Sequence, residues 1–401
     1  MFRVTKLNIL IGNIIYLFSI ICLFGGGFID NYGYAFLGLY ILYIFATFPK
    51  ESTFAFFNLM TVPLYLFLLY YFFTNGFNIK NVLSIFGKVS PVLIAFLHYR
   101  LMNGSADFLK MHKTIILISF VIIIGFSINA LALLQINPML MRELVSTDVD
   151  ESIIVGGGFG LPYSLAILIP VLLPIIWLKI HAKEYYNWEI YLIILFTIVG
   201  SLLIFRAQYM TSILLFLLGI YNVLLLKYKL KERIVFLLGG ILFGSFFYEY
   251  LPMLFTLIGI NEDSILFDRF EEIASLMSGN SHEAHDFAIR MGHILNTIKV
   301  FSKNILFGVG HTCNYGYEQL ETVGVGLHAE WIDLLAIYGC FSFFMYMFLY
   351  RACMLNMNKM NMAIYSFILL GFLNPLLQYQ IFFVTFYMAP MIYFYYSKNR
   401  L

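Results

Sequence analysis

The chain has 401 residues, of which 61% are hydrophobic, 19% aromatic and 11% charged, with a mean hydropathy of +0.86. Soluble domains carry roughly 25% charged residues, so this composition excludes a water-soluble globular protein. The net charge of +2 gives no basis for a nucleic-acid partner, and only its distribution along the chain is informative.

Met1 to Lys6 leads straight into an apolar run, which reads as a first spanning helix that stays in place rather than as a cleaved signal. Runs of the ~20 residues needed to cross a bilayer core follow at 7–24, 31–48, 53–73, 81–98, 114–136, 158–180, 189–206, 209–226, 232–258, 327–350, 361–376 and 378–396. They predict an all-α integral membrane protein of about twelve transmembrane helices, with both termini on one side. About nine helices fall in 1–258, a large extracytoplasmic loop in 259–326, and about three helices in 327–401. The fourth run contains Lys88 and Pro91, and the last two meet at Asn374-Pro375. Such breakers are tolerated where neighbouring helices satisfy the freed backbone groups. Cys22, Cys313, Cys340 and Cys353 are scattered without paired spacing, so neither a disulfide framework nor a structural zinc is expected.

Most of the 24 Lys and Arg residues, Lys110, Lys113, Lys227, Lys229 and Lys231 among them, fall on the side of the N-terminus. By the positive-inside rule that side is cytoplasmic and the long loop faces outward. The outward side is acidic, with Glu143, Asp148, Asp150 and Glu151 in one loop and Glu262, Asp263, Asp268, Glu271 and Glu272 opening the other. Outward arginines run against the charge bias and need a reason to be there.

The long loop is the only extended segment that is not membrane-grade apolar. It and its exit hold His282, His285, His293, His311 and His328, of 8 histidines in all. Two helices are predicted in it, Ser264 to Met277 and about His285 to Lys303. In the second, Phe287, Met291, Ile294, Leu295, Ile298 and Phe301 recur at helical spacing, with Arg290, His293 and Thr297 on the other face. That helix is expected to rest on the membrane surface or the bundle, holding Arg290 toward an aqueous cavity.

Few residues can carry chemistry. Arg206 ends a helix at the outer interface, where it either snorkels to headgroups or binds an anion. The planar guanidinium grips two phosphate oxygens at once and never loses its charge. Arg290 has Asp286 one turn before it, and Arg269 lies between Asp268 and Glu271, so each also has a local pairing available. His328 opens the span that closes the loop and is the natural general base. Glu330 and Asp333 are alternative bases, or groups that orient the imidazole. Gly308-Val309-Gly310 either admits a ligand close to backbone or makes a tight turn before His311. Ser281-His282-Glu283-Ala284-His285 lacks the HExxH spacing, so no metal is expected.

Taken together, Phe205-Arg206-Ala207, Ala288-Ile289-Arg290, Leu306-Phe307-Gly308-Val309-Gly310 and the stretch from Leu327 through His328-Ala329-Glu330-Trp331 to Gly339 resemble the O-antigen ligase/polymerase family of bacterial membrane glycosyltransferases. The resemblance covers roughly residues 190–345 by motif. Many members have Ser where Phe205 stands, Pro where Asn304 and Ile305 stand, and Asn where Ala329 stands.

The resemblance implies a GT-C-type fold in the bacterial cytoplasmic membrane, with both termini cytoplasmic and the active site facing the periplasm or exterior. It implies an undecaprenyl-diphosphate-linked oligosaccharide donor and a lipid-linked acceptor, inverting transfer, and no metal or other cofactor. Arg206 and Arg290 would clamp the diphosphate, and His328 would take the proton of the acceptor hydroxyl. Arg269 would assist with the donor or hold the loop. Gly308, Gly310, His311, Glu330 and Trp331 would line the substrate, Trp331 with Tyr315 and Tyr317 as sugar-stacking rings. A flippase and a chain-length regulator would be its partners in the membrane. A polymerase is favoured over a ligase acting on lipid A core. A flippase or transporter of lipid-linked sugars is the competing class, and it should carry ionisable groups deep in its spans.

Overall fold

The computed structural model describes residues 6–25, 28–102, 106–137, 160–181, 187–224, 285–310 and 329–397, with short helical pieces between 231 and 239. Among these residues the chain is helical and has no strands. It is an all-α membrane protein: six helices are long and apolar enough to cross a bilayer, and three shorter ones are apolar too.

Helices α1 (Lys6–Gly25) and α2 (Phe28–Thr47) form an antiparallel pair. In α1, Ile9, Asn13, Tyr16, Ile20 and Leu23 are buried, while Leu7, Leu10, Ile14, Phe18 and Ile21 are exposed. Both sets recur at helical spacing, so the helix is apolar all round, one face packed on protein and the other suited to lipid. The run expected as one span at 53–73 is instead two helices, α3 (Pro49–Phe56) and α4 (Val62–Thr74). The Asn58 side chain makes the break, accepting from Met60 N at 2.7 Å and donating to Phe54 O at 2.9 Å. Pro63 then suits the start of a new helix, where no N–H is needed.

Helix α5 (Ile79–Met102) carries Pro91 inside it. Proline cannot donate to the Gly87 carbonyl, and the Ser90 hydroxyl does so instead at 2.7 Å. Helix α6 (Ala106–Ile136) returns across the bundle. Helix α7 (Gly160–His181) is central: it is buried on every side from Gly160 to Leu172 and contacts helices α8 (Trp188–Arg206) and α9 (Met210–Leu224). Pro170 of α7 lies so close to Gly219 of α9 that a Cβ there would come within 2.3 Å of the proline ring. Of the expected span at 232–258 only the short pieces up to 239 are described; the rest of it, and the helix expected from Ser264 to Met277, lie outside the described residues.

After α10 (His285–Lys303) come α11 (Glu330–Tyr338), a 3₁₀ turn (Gly339–Phe341) and α12 (Ser342–Leu373). The last part is broken: α13 (Tyr379–Phe382), a π-helical turn (Phe383–Met388) and α14 (Ala389–Ser397). Helix assignment runs unbroken through α12, yet Trp331 touches both Tyr346 and Ile368. In a straight helix those residues would stand ~33 Å apart at 1.5 Å per residue. The chain therefore doubles back between them, in keeping with the two runs expected at 327–350 and 361–376.

Ion pairs and cation contacts gather at one end of the bundle: Lys6 with Asp107 at 3.4 Å, Lys113 with Glu189 at 2.5 Å, Arg100 over the Phe54 ring, and Arg351 with the Leu59 carbonyl. We call this the Lys113 end. The opposite end carries Leu23, Thr74, Gly160 and Arg206.

Candidate functional site

At the Arg206 end, the segment after α10 is bound to the end of α11 by backbone alone. Val309 N donates to Ala336 O at 3.0 Å, Gly310 N to Ile337 O at 2.8 Å, and Cys340 N to Ile305 O at 2.8 Å. These bonds satisfy terminal carbonyls that a helix end leaves open. Gly308 and Gly339 have φ of +65° and +56° and meet backbone to backbone. A Cβ on Gly308 would sit 2.2 Å from Ile337 O, and one on Gly339 would sit 2.6 Å from Gly308 N. Both positions thus require glycine for conformation and for space. Tyr70 binds the Phe307 carbonyl, and Thr74 at the end of α4 lies beside Gly310. The Gly-Val-Gly stretch is a clasp joining α10, α11 and α4.

Helix α10 has the limits that its apolar spacing predicts. Thr297 is 2% exposed, and Val300 and Phe301 pack on the core, while Leu295 and Ile298 are 51% and 46% exposed. The apolar stripe is therefore split, Phe301 turned to protein and Leu295 and Ile298 left open in the way that suits lipid.

Helix α11 begins at Ala329, whose N–H donates to Asp333 Oδ2 at 3.2 Å. Glu330 Oε2 accepts from Leu376 N at 2.9 Å, in the break between α12 and α13. Pro375 helps create that break, because it cannot continue the helix. Trp331 Nε1 donates to Ile368 O at 2.8 Å, and its ring meets Tyr346, Phe367 and Phe372. The Trp331 ring is thus a wedge between the two arms of α12.

Other polar groups gather along the same break. Asn374 Nδ2 donates to Tyr163 OH at 3.3 Å, and Tyr163 stacks on Tyr209 with ring centroids 5.6 Å apart. The amide oxygens of Gln378 and Gln380 crowd Gly160, the first residue of α7, where 2.4 Å and 3.1 Å separate them from the place of a Cβ. They face the positive end of the α7 dipole. Gln380 also donates to Leu23 O at 2.7 Å. Lys88, half-buried in α5, lies within electrostatic reach of Glu330 with no ion pair between them. Sequence reasoning placed Lys88 in a span without assigning it a role. Its signal was a cation inside an apolar run. Gly339 was also missed, because its need for glycine arises from the backbone of residues 305–308, more than thirty residues away in the chain.

Arg206 is exposed on the last turn of α8, followed by a sharp turn with Gln208 at φ +54°. No ion pair among the described residues involves it. Tyr209, three residues on, connects this turn through Tyr163 and Asn374 to the Glu330 break. Arg269, His311, His328, Tyr315 and Tyr317 lie outside the described residues, and Arg290 is placed by its helix backbone only. The described part of the site therefore consists of Arg206, Lys88, Glu330, Trp331 and the Gly308–Gly339 clasp. It offers cations, an oriented carboxylate and several amides at one end of an apolar bundle. Such a set can bind an anionic headgroup and polar hydroxyls, and can accept a proton. Among the described residues no three His, Cys, Asp or Glu side chains lie together as metal ligands would. No protein-family model matches the chain, and no curated protein matches it either.

Proposed function

We propose that the chain is a membrane glycosyltransferase of the O-antigen ligase/polymerase kind, with a GT-C-type fold of about twelve spans. It acts as a polymerase at the outer face of the bacterial cytoplasmic membrane. It transfers a growing glycan from undecaprenyl diphosphate to a lipid-linked repeat unit, with inversion and without a metal. The observation that carries this reading is the clasp. It fixes α10, whose backbone carries position 290, to α11, which begins two residues after position 328, and this supports a reading in which Arg290 and His328 serve one site.

In this reading Arg206 and Arg290 hold the diphosphate and stabilise the charge that grows as the sugar–phosphate bond breaks. His328 takes the acceptor proton, with Glu330 or Asp333 as the other candidates. Polymerisation by the purified protein on a lipid-linked repeat unit is the test. Arg206→Ala and Arg290→Ala should each lower the rate by about 10²–10³ while the protein remains in the membrane. Unchanged chain length in either variant removes that arginine from the clamp.

The transporter reading keeps one specific support. His98 and His112 are buried within the bundle, and ionisable groups inside spans are what a transport pathway needs. Movement of a labelled lipid-linked sugar across vesicles by the Arg206→Ala protein would favour that class.

A further inference from the structure

In the half of the bundle toward the Lys113 end, four side chains from four helices form one unbranched hydrogen-bond chain. Tyr40 OH of α2 meets His98 Nε2 of α5; His98 Nδ1 meets Tyr387 OH of the π turn at 2.9 Å; Tyr387 OH meets His112 Nδ1 of α6 at 3.2 Å. All four residues are at most 2% exposed. The chain has a single sense. If Tyr40 donates to His98, then His98 donates to Tyr387 and Tyr387 to His112, leaving His112 Nε2 to carry a hydrogen. If every bond is reversed, His112 Nε2 becomes a free acceptor and Tyr40 needs one. Each inner link both donates and accepts while staying neutral, which is the requirement for passing a proton along.

Both ends of the chain are open. Among the described residues five buried polar side-chain atoms have no hydrogen-bond partner, and three flank this chain: His112 Nε2 at one end, and the hydroxyls of Tyr16 and Tyr379 at the other. Buried polar atoms left without partners are rare and call for a reason. The Tyr16 ring stacks on Tyr40 at 4.7 Å, and the Tyr16, Tyr379 and Ser19 hydroxyls lie close together, the two tyrosine hydroxyls falling short of hydrogen-bond geometry. Tyr379 adjoins Gln378 and Gln380 of the outer polar site. His112 adjoins Lys113, which is bonded to Glu189, which in turn accepts from Tyr396 at 3.1 Å. The two histidines face each other, with ring centroids 5.4 Å apart, and are also faced by Tyr40 from α2, Phe108 and Tyr387, with Tyr16 beside His98 and Tyr395 stacked on His112. No carboxylate or ammonium makes an ion pair with either histidine among the described residues, so neither is held charged. A purely structural polar cluster would close on itself, whereas this one ends in unsatisfied atoms at both sides.

We propose that this Tyr40–His98–Tyr387–His112 chain is a proton relay, and that the protein passes protons between the Lys113 end and the polar site around Gln380 and Glu330. One proton arrives at His112 Nε2, and the Nδ1 proton of His112 moves to Tyr387. The Tyr387 proton moves to His98 Nδ1, the His98 Nε2 proton moves to Tyr40, and Tyr40 releases its own. One proton enters and one leaves. Rotation of the hydroxyls and return of the tautomers reset the chain.

The test uses the full protein in phosphatidylcholine–phosphatidylglycerol vesicles loaded with a pH-sensitive dye, with valinomycin and potassium clamping the voltage. An imposed pH difference should decay faster with protein than without it. Tyr387→Phe, which removes one oxygen from the middle link, should return the decay to the protein-free rate. Tyr395→Phe removes a hydroxyl that binds backbone of α6, at the Leu109 carbonyl and at Lys113, outside the chain, and should keep the wild-type rate. Melting curves accompany each variant. The proposal fails if wild-type vesicles are no faster than empty ones, or if Tyr387→Phe conducts like the wild type. It also fails if Tyr395→Phe and Tyr387→Phe lose conduction together, since that would be a packing effect. Glycan transfer is a separate assay, and neither result decides the other.

Discussion

The two ends of the bundle use charge in opposite ways. At the Lys113 end, basic groups have near partners: Lys113 with Glu189, Lys6 with Asp107, Arg351 with a carbonyl, Arg100 with an aromatic face. At the Arg206 end, Arg206 and Lys88 make no ion pair among the described residues, and Glu330 is held by a backbone N–H instead. Matched charges fix where helices sit, while charges left over remain available to something else. Removing a matched charge from the first end should therefore spare activity and cost stability in proportion to its partner's burial, and removing charge from the second should do the reverse.

Four substitutions test that contrast. The largest effect is expected from Arg206→Ala, a fall of about 10²–10³ in glycan transfer with no change in melting temperature; a large loss of stability would make Arg206 a packing residue. Gly308→Ala comes next. It places a Cβ against the Ile337 carbonyl at positive φ, and should destabilise the α10–α11 junction by about 2–3 kcal/mol, read as faster proteolysis after Lys303. Lys113→Met leaves the Glu189 carboxylate, 11% exposed, with only Tyr396, and should cost about 1–3 kcal/mol with transfer intact. Lys6→Ala should be silent within about 0.5 kcal/mol, because its side chain is 81% exposed. If Lys6→Ala and Lys113→Met reduced transfer while Arg206→Ala did not, the contrast between the ends would be reversed.

Much of the frame was legible in the chain. The apolar runs mark α1, α5, α6, α7 and α8 because lipid demands continuous apolar length, a signal needing no knowledge of partners. The limits of α10 could be read from its apolar spacing and the glycine turn behind it. Its facing was open between membrane surface and bundle, and the structure divides it, with Thr297 and Phe301 packed on protein and Leu295 and Ile298 exposed. The break between α3 and α4 depends on Asn58 bonding its own backbone, a choice that apolar composition does not show. His98 and His112 were hidden for a related reason. A lone histidine in an apolar run carries no periodic signal, and Tyr387 is 289 residues from His98 in the chain. Long-range pairs such as Gly308 with Gly339 share this blindness, since each member looks ordinary until the other is in place.

The clasp has a consequence for how this protein can vary. It pins the chain at Gly310, and the Asp333 carboxylate pins it again at Ala329, so both described positions that flank residues 311–328 are fixed by the bundle. Closing a flexible loop costs only about 0.6 kcal/mol more for each doubling of its length. Residues added between these two fixed positions should therefore cost the fold little, whereas any side chain at Gly308 or Gly339 would collide with backbone.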